Sequence, residues 1–182
     1  MKSLFKTIIV PYGERYNNEE DNLILNTSIN IKDFTYVNRI GKVITPSHFN
    51  PIVEKDDLVI VHHNVFRQFW NFGGRLKTST SDLDNGTFGC NNDSIYAYKR
   101  GDSDWITLGD SCFVEPQVAN REDFVWDMDF HTPGVGKLVY GAPDGFKQGD
   151  TVTYTPYSKY EFNIEGKKLY KMKHMNITGK IL

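Results

Sequence analysis

The sequence predicts an all-β protein built as two tandem small β-barrels that share a junction strand. Three observations predict it. Only three Ala (Ala97, Ala119 and Ala142) stand in 182 residues against 12 Phe, 10 Tyr and abundant Ile, Val and Thr, a balance that favours strands over helices. Short apolar runs alternate with Gly-, Pro-, Asn- and Asp-bearing punctuation, the pattern of small barrels and sandwiches. The chain also repeats itself, and the repeat decides its organisation.

Four anchors recur in the same order. Ile8-Ile9-Val10-Pro11 answers to Phe113-Val114-Glu115-Pro116 at an offset of 105, and Gly41-Lys42-Val43 to Gly136-Lys137-Leu138 at 95. Asp57-Leu58-Val59 answers to Asp150-Thr151-Val152 at 93, and Ser94-Ile95-Tyr96 to Asn176-Ile177-Thr178 at 82. The offset falls because the first copy carries about ten extra residues between its first two anchors and about eleven between its last two; loops absorb such insertions because closure entropy grows slowly with length. A duplication follows.

In chain order, the first copy reads as strands in KTIIVPY, RIGKVITP, DLVIVHH, RQFWNF and SIYAYKR, with a turn at Asp84-Asn85-Gly86. The second reads as CFVEP, GKLVYGAP, TVTYTP, KYEFNI, KKLYKM and ITGKIL, with turns at Pro133-Gly134, Asp144-Gly145, Gln148-Gly149-Asp150 and Glu165-Gly166. No linker separates them: residues 109–114 close one unit and open the next. The expected domains are residues 1–116, with a long loop (13–38) and an inserted middle segment (62–92), and residues 117–182, whose first strand is at 110–116.

Composition excludes several functions. Lys+Arg number 21 and Asp+Glu 23, a net charge of −2 with no long run of either sign, which argues against a broad nucleic-acid footprint or a polybasic membrane patch. No stretch nears the 18 apolar residues of a membrane span, and the N-terminus lacks signal-peptide features. Cys90 and Cys112 have no CxxC spacing and suit reduced thiols in a cytoplasm. His62 and His63, adjacent on a strand, are expected to face opposite ways and so not to share a metal. Gly134-Val135-Gly136-Lys137 lacks the rest of a phosphate-loop pattern. Asp127 and Asp129, near Glu122 and Asp123, have no accompanying nucleophile and read as a solvated face. No catalytic constellation, metal site or cofactor is expected.

Residues 136–182 resemble the closing half of a GroES-type co-chaperonin. The resemblance rests on Gly136-Lys137-Leu138, the Gly149-Asp150 turn, the apolar strand from Thr151 to Tyr154, the Tyr157–Tyr160 hairpin and the terminal Asn176-Ile177-Thr178-Gly179-Lys180-Ile181. The first copy follows the same plan with DDLVIVHHNVFRQF and NNDSIYAYK. Its segment HHNVFRQFWNFGGRLKTSTSDLDNG departs from cellular members and looks like the longer middle of bacteriophage-encoded ones. The family's roof connection is short here: SHFNPIVEKDD in one copy and APDGFKQGD in the other.

The resemblance implies a non-enzymatic, homo-oligomeric ring that caps a host or phage chaperonin in the cytoplasm. The ATP would be bound by the chaperonin, with no nucleic acid or membrane involved. It also implies a loop at residues 13–38 whose apolar triplet inserts into a chaperonin groove. Leu23, Ile24 and Leu25, between an acidic Asn-rich stretch and Asn26-Thr27-Ser28, are the candidate clip. Each such side chain buried contributes roughly 1.5–3 kcal/mol, part of which the ordering of the loop offsets. Phe124, Val125 and Trp126 are the candidate second contact loop. Read from the residues alone, Leu23-Ile24-Leu25 is a core strand, and the aromatic cluster Phe66, Phe69, Trp70 and Phe72 suits a core or an interface. The alternative function is a virion structural or accessory protein, a capsid or tail component on the same barrel.

Overall fold

Fourteen short strands form among the residues described by the computed structural model, which are 3–15, 37–118 and 131–181. They fall into two units, Met1–Trp105 and Ile106–Leu182. The first unit holds β1 (Thr7–Pro11), β2 (Ile40–Thr45), β3 (Leu58–Val61), β4 (Gln68–Trp70), β5 (Leu76–Thr78), β6 (Phe88–Cys90) and β7 (Ile95–Lys99). The second holds β8 (Ile106–Thr107), β9 (Ser111–Val118), β10 (His131–Tyr140), β11 (Thr151–Tyr154), β12 (Tyr160–Ile164), β13 (Lys167–Lys173) and β14 (Ile177–Lys180).

The main strands of the first unit lie in the order β6-β1-β2-β3-β7, antiparallel throughout. Those of the second lie in the order β12-β13-β9-β10-β11-β14, again antiparallel. Matching β1 to β9, β2 to β10, β3 to β11, β6 to β13 and β7 to β14 makes the two five-strand orders identical, with β12 added outside β13 in the second sheet.

The correspondence reaches individual residue pairs. Pro11 faces Gly41 and Ile9 faces Val43; Pro116 faces Gly136 and Val114 faces Leu138. Gly41 then faces Val59, and Gly136 faces Val152. On the outer side Ile9 pairs with Phe88, and Val114 with Tyr170. The β3–β7 ladder slips by one residue between Ile60↔Ala97 and Val61↔Ile95, and β11–β14 slips between Thr153↔Gly179 and Tyr154↔Ile177. Register in a sheet with a buried face is strongly specified, because a one-residue slip turns every side chain over. Two sheets sharing order, register and bulge carry the duplicated plan that the four anchors predict.

Each sheet buries its own apolar face. Val114, Leu138, Val152, Tyr154, Tyr170 and Met172 pack with Cys112 in the second unit. The equivalent Ile9, Val43, Val59, Val61 and Phe88 are all buried in the first, where Phe66 meets Phe88 edge-on at 4.9 Å. The β2–β3 and β10–β11 turns are also matched. Glu54 N–H donates to Asp57 Oδ2 and Lys147 N–H to Asp150 Oδ2, each at 2.8 Å. The residue before each Asp is left-handed, Asp56 at φ 71 and Gly149 at φ 94.

Several expectations are corrected. Barrel closure needs the outermost strands to pair; neither sheet closes among the described strands, and both stay open. β9 spends both edges inside the second unit, on β10 and β13. Pro133 and Gly134 lie within β10, where a register irregularity between His131 and Gly136 accommodates Gly134 at φ 72. His62 and His63 do not face apart: β3 ends at Val61, a 3-10 turn begins at His63, and the two rings lie 4.1 Å centre to centre. The aromatic cluster divides, with Phe66 fully buried but Phe69 and Phe72 exposed. β5, β6 and β8, of two or three residues each, were not expected.

Candidate functional site

The β1–β2 connection is the candidate site, because its two ends are tied together at one place. The ladder ends at Pro11↔Gly41, and Tyr12 N–H donates to Ile40 C=O at 2.9 Å. Asn38 then bridges the neck. Its side-chain amide donates to Tyr12 C=O at 2.9 Å and Glu14 C=O at 2.8 Å, its Oδ1 accepts from Ile40 N–H at 2.9 Å, and its own N–H donates to Arg15 C=O at 3.0 Å. One nearly buried side chain satisfies three backbone groups that no ladder reaches.

Arg15 fixes the neck to the body of the first unit. Its guanidinium donates to Phe66 C=O and, at 3.4 Å, to Arg67 C=O. It lies 4.9 Å over the Phe88 ring and 4.0 Å from Asp82. A planar fork that stacks on an aromatic face while reaching carbonyls is a task for Arg rather than Lys. The chain therefore leaves at Arg15 and returns at Val37 from a fixed platform. Between them lies the segment carrying Leu23, Ile24 and Leu25, which falls outside the described residues. In the second copy β9 and β10 pair out to Val118↔His131, and Phe124, Val125 and Trp126 also lie outside the described residues. Neither Asn38 nor Arg15 is marked by any sequence motif; their roles come from partners about 25 and 50 residues away.

Two acidic side chains, Asp57 and Asp150, hold the turns that precede β3 and β11. Burial alone would raise the Asp57 carboxyl, but hydrogen bonds from Arg100 at 3.0 and 2.9 Å and from Glu54 N–H outweigh it and hold the group low. Asp150 is held low first by Lys180, 2.8 Å away, then by Lys147 N–H. Burial pushes the thiols of Cys90 and Cys112 up to about 12, which suppresses the thiolate that reactivity requires. Among the described residues no group of three or more His, Cys, Asp or Glu could hold a metal. An open groove of about 310 Å³ on the second unit is lined by Glu115, Pro116, Gln117, Gly136, Lys137 and Thr151. No helix among the described residues is long and apolar enough to cross a membrane.

No protein-family model matches the chain, and no curated protein matches it.

Proposed function

We propose that the chain is a duplicated GroES-like co-chaperonin, its Leu23-Ile24-Leu25 segment serving as the clip for a chaperonin ring. The observation that carries this reading is the tied neck. The segment with the apolar triplet is the connection between the first two strands, its ends held within hydrogen-bonding distance by Asn38 and Tyr12. Held so, the segment stays anchored whatever its own conformation, as a docking loop requires. The same connection of the second copy bears Phe124, Val125 and Trp126, so a duplicated plan offers two such loops per chain.

The chemistry to be performed is reversible binding. A ring of chains engaging several grooves at once turns weak single contacts into stable attachment, and ATP hydrolysis belongs to the chaperonin. As a phage product, the cap would give viral proteins access to the host's folding chamber.

Co-sedimentation with a purified bacterial chaperonin, with and without nucleotide, tests the reading. Wild-type chain is expected to bind only with nucleotide, and Leu23→Ser/Ile24→Ser/Leu25→Ser to lose binding by about tenfold or more, given the apolar surface removed. Binding retained by that variant moves the clip, with Phe124 to Trp126 next to be replaced. A folded wild-type chain that binds no chaperonin from its own host rejects the cap and leaves the virion component.

A further inference from the structure

The β4–β5 ribbon is the part of the first unit that the repeated plan does not need. The second copy reaches the same sheet order and register without it, passing from Tyr154 to Tyr170 where the first passes from Val61 to Phe88. The ribbon pairs only with itself, Gln68↔Thr78, Phe69↔Lys77 and Trp70↔Leu76, as a separate two-stranded sheet. Such a ribbon is marginal in water without a covering layer.

Its shape and charge are specific. Asn71 Oδ1 accepts from Gly73 N–H at 3.1 Å and Arg75 N–H at 2.9 Å, and Asn71 N–H donates to Arg75 C=O at 3.0 Å. This built turn holds Phe72 at the tip, fully exposed. Phe69 lies opposite Lys77 on one face and Leu76 is on the other, each about 40% exposed. From Val65 to Ser81 there are three cations, Arg67, Arg75 and Lys77, and no carboxylate. Among the described residues Arg75 and Lys77 make no ion pair.

These features select among polyanionic partners. A stacking platform for single-stranded nucleic acid needs its aromatic groups on one face, whereas here the apolar groups occupy both faces and the tip. A flat protein patch covers one face and leaves the other wet. A lipid interface surrounds an entering ribbon on every side, takes up an exposed aromatic tip, and meets the cations behind it with phosphates. We propose that the β4–β5 ribbon docks on an anionic lipid surface, Phe72 entering the interface while Arg75 and Lys77 contact lipid phosphates.

The test is flotation of the full chain with vesicles of phosphatidylcholine and phosphatidylglycerol at about 3:1, against pure phosphatidylcholine. Wild type is expected on the anionic vesicles, with Phe72→Ser and Arg75→Gln/Lys77→Gln each weakening it about tenfold. Thermal melts, which these exposed substitutions should leave unchanged, show that each variant is folded. Phe72→Trp adds a reporter whose emission shifts to the blue on vesicle addition if the tip enters. No flotation of wild type, flotation indifferent to Phe72→Ser, or a Phe72→Trp emission that does not move would each overturn the proposal. So would tighter, Phe72-dependent binding to an oligonucleotide.

Discussion

At the residue scale the paired glycines show why an anchor recurs. A Cβ on Gly136 would stand 2.5 Å from Glu115 C=O oxygen and 2.5 Å from Val114 Cγ1; on Gly41 the nearest atoms, on Ile9, Phe66 and Val10, lie at 3.1–3.2 Å. The same neighbours are met in both copies, the side chain and the carbonyl of the strand opposite, so Gly is required by close approach rather than by backbone angle. At Gly136 one obstacle is main chain and cannot swing aside. Gly136→Ala should therefore cost about 2–3 kcal/mol and Gly41→Ala about 1 kcal/mol or less, read as a shift of the urea midpoint at constant slope. Equal losses would show that β9 and β10 part more easily than the distances imply. The glycines were legible as anchors in the sequence. What demands them was not, because the crowding atoms lie on another strand about 20 or 30 residues away.

At the element scale most strands were legible, and β5, β6 and β8 were not. β2, β3, β11 and β13 announce themselves by Val, Ile, Leu and Tyr between turns, but β6 is only Phe88-Gly89-Cys90 and takes its strand character from pairing with β1. Likewise the pair His62-His63 depends on where β3 stops, and one residue of boundary moves the rings from opposite faces to contact. The neck is the element with the most direct bearing on the proposed loop. Asn38→Ala would strand the C=O groups of Tyr12 and Glu14 and the N–H of Ile40. The expected loss is about 1–3 kcal/mol, together with faster proteolytic cutting within residues 13–38 of the folded chain. Asn38→Asp should recover only the bond to Ile40, because a carboxylate donates nothing to the two carbonyls. A variant as stable and as resistant as wild type would mean that the backbone bonds Tyr12 N–H to Ile40 C=O and Asn38 N–H to Arg15 C=O, with the Arg15 side chain, suffice to hold the neck.

Across the whole molecule the repeat was the most informative feature of the sequence, since one falling offset told which segments of the two copies correspond, while the residues that face each other within each sheet came from the structure. Openness of those sheets was hidden, because closure depends on which outer strands meet and no periodicity records that. The repeat also places an acid-sensitive turn in each unit. Asp57 is anchored by Arg100, the residue after β7, and Asp150 by Lys180 at the end of β14. Asp56, beside Lys42 at 2.9 Å, is held low as well. A carboxyl held low in the folded chain binds its proton less readily than in the unfolded chain. Its stabilisation is complete above the unfolded value near 4 and is lost as pH falls toward the folded value. The thermal midpoint should therefore be level from about pH 7 to 5 and fall steadily below about pH 4, with proton uptake on unfolding throughout that fall. Asp57→Asn should lower the midpoint at pH 7 while making the acid fall shallower, since one of the three carboxyls no longer titrates. A midpoint that stays level down to about pH 3 in wild type, or an acid fall that Asp57→Asn leaves as steep as before, would separate acid stability from these turns.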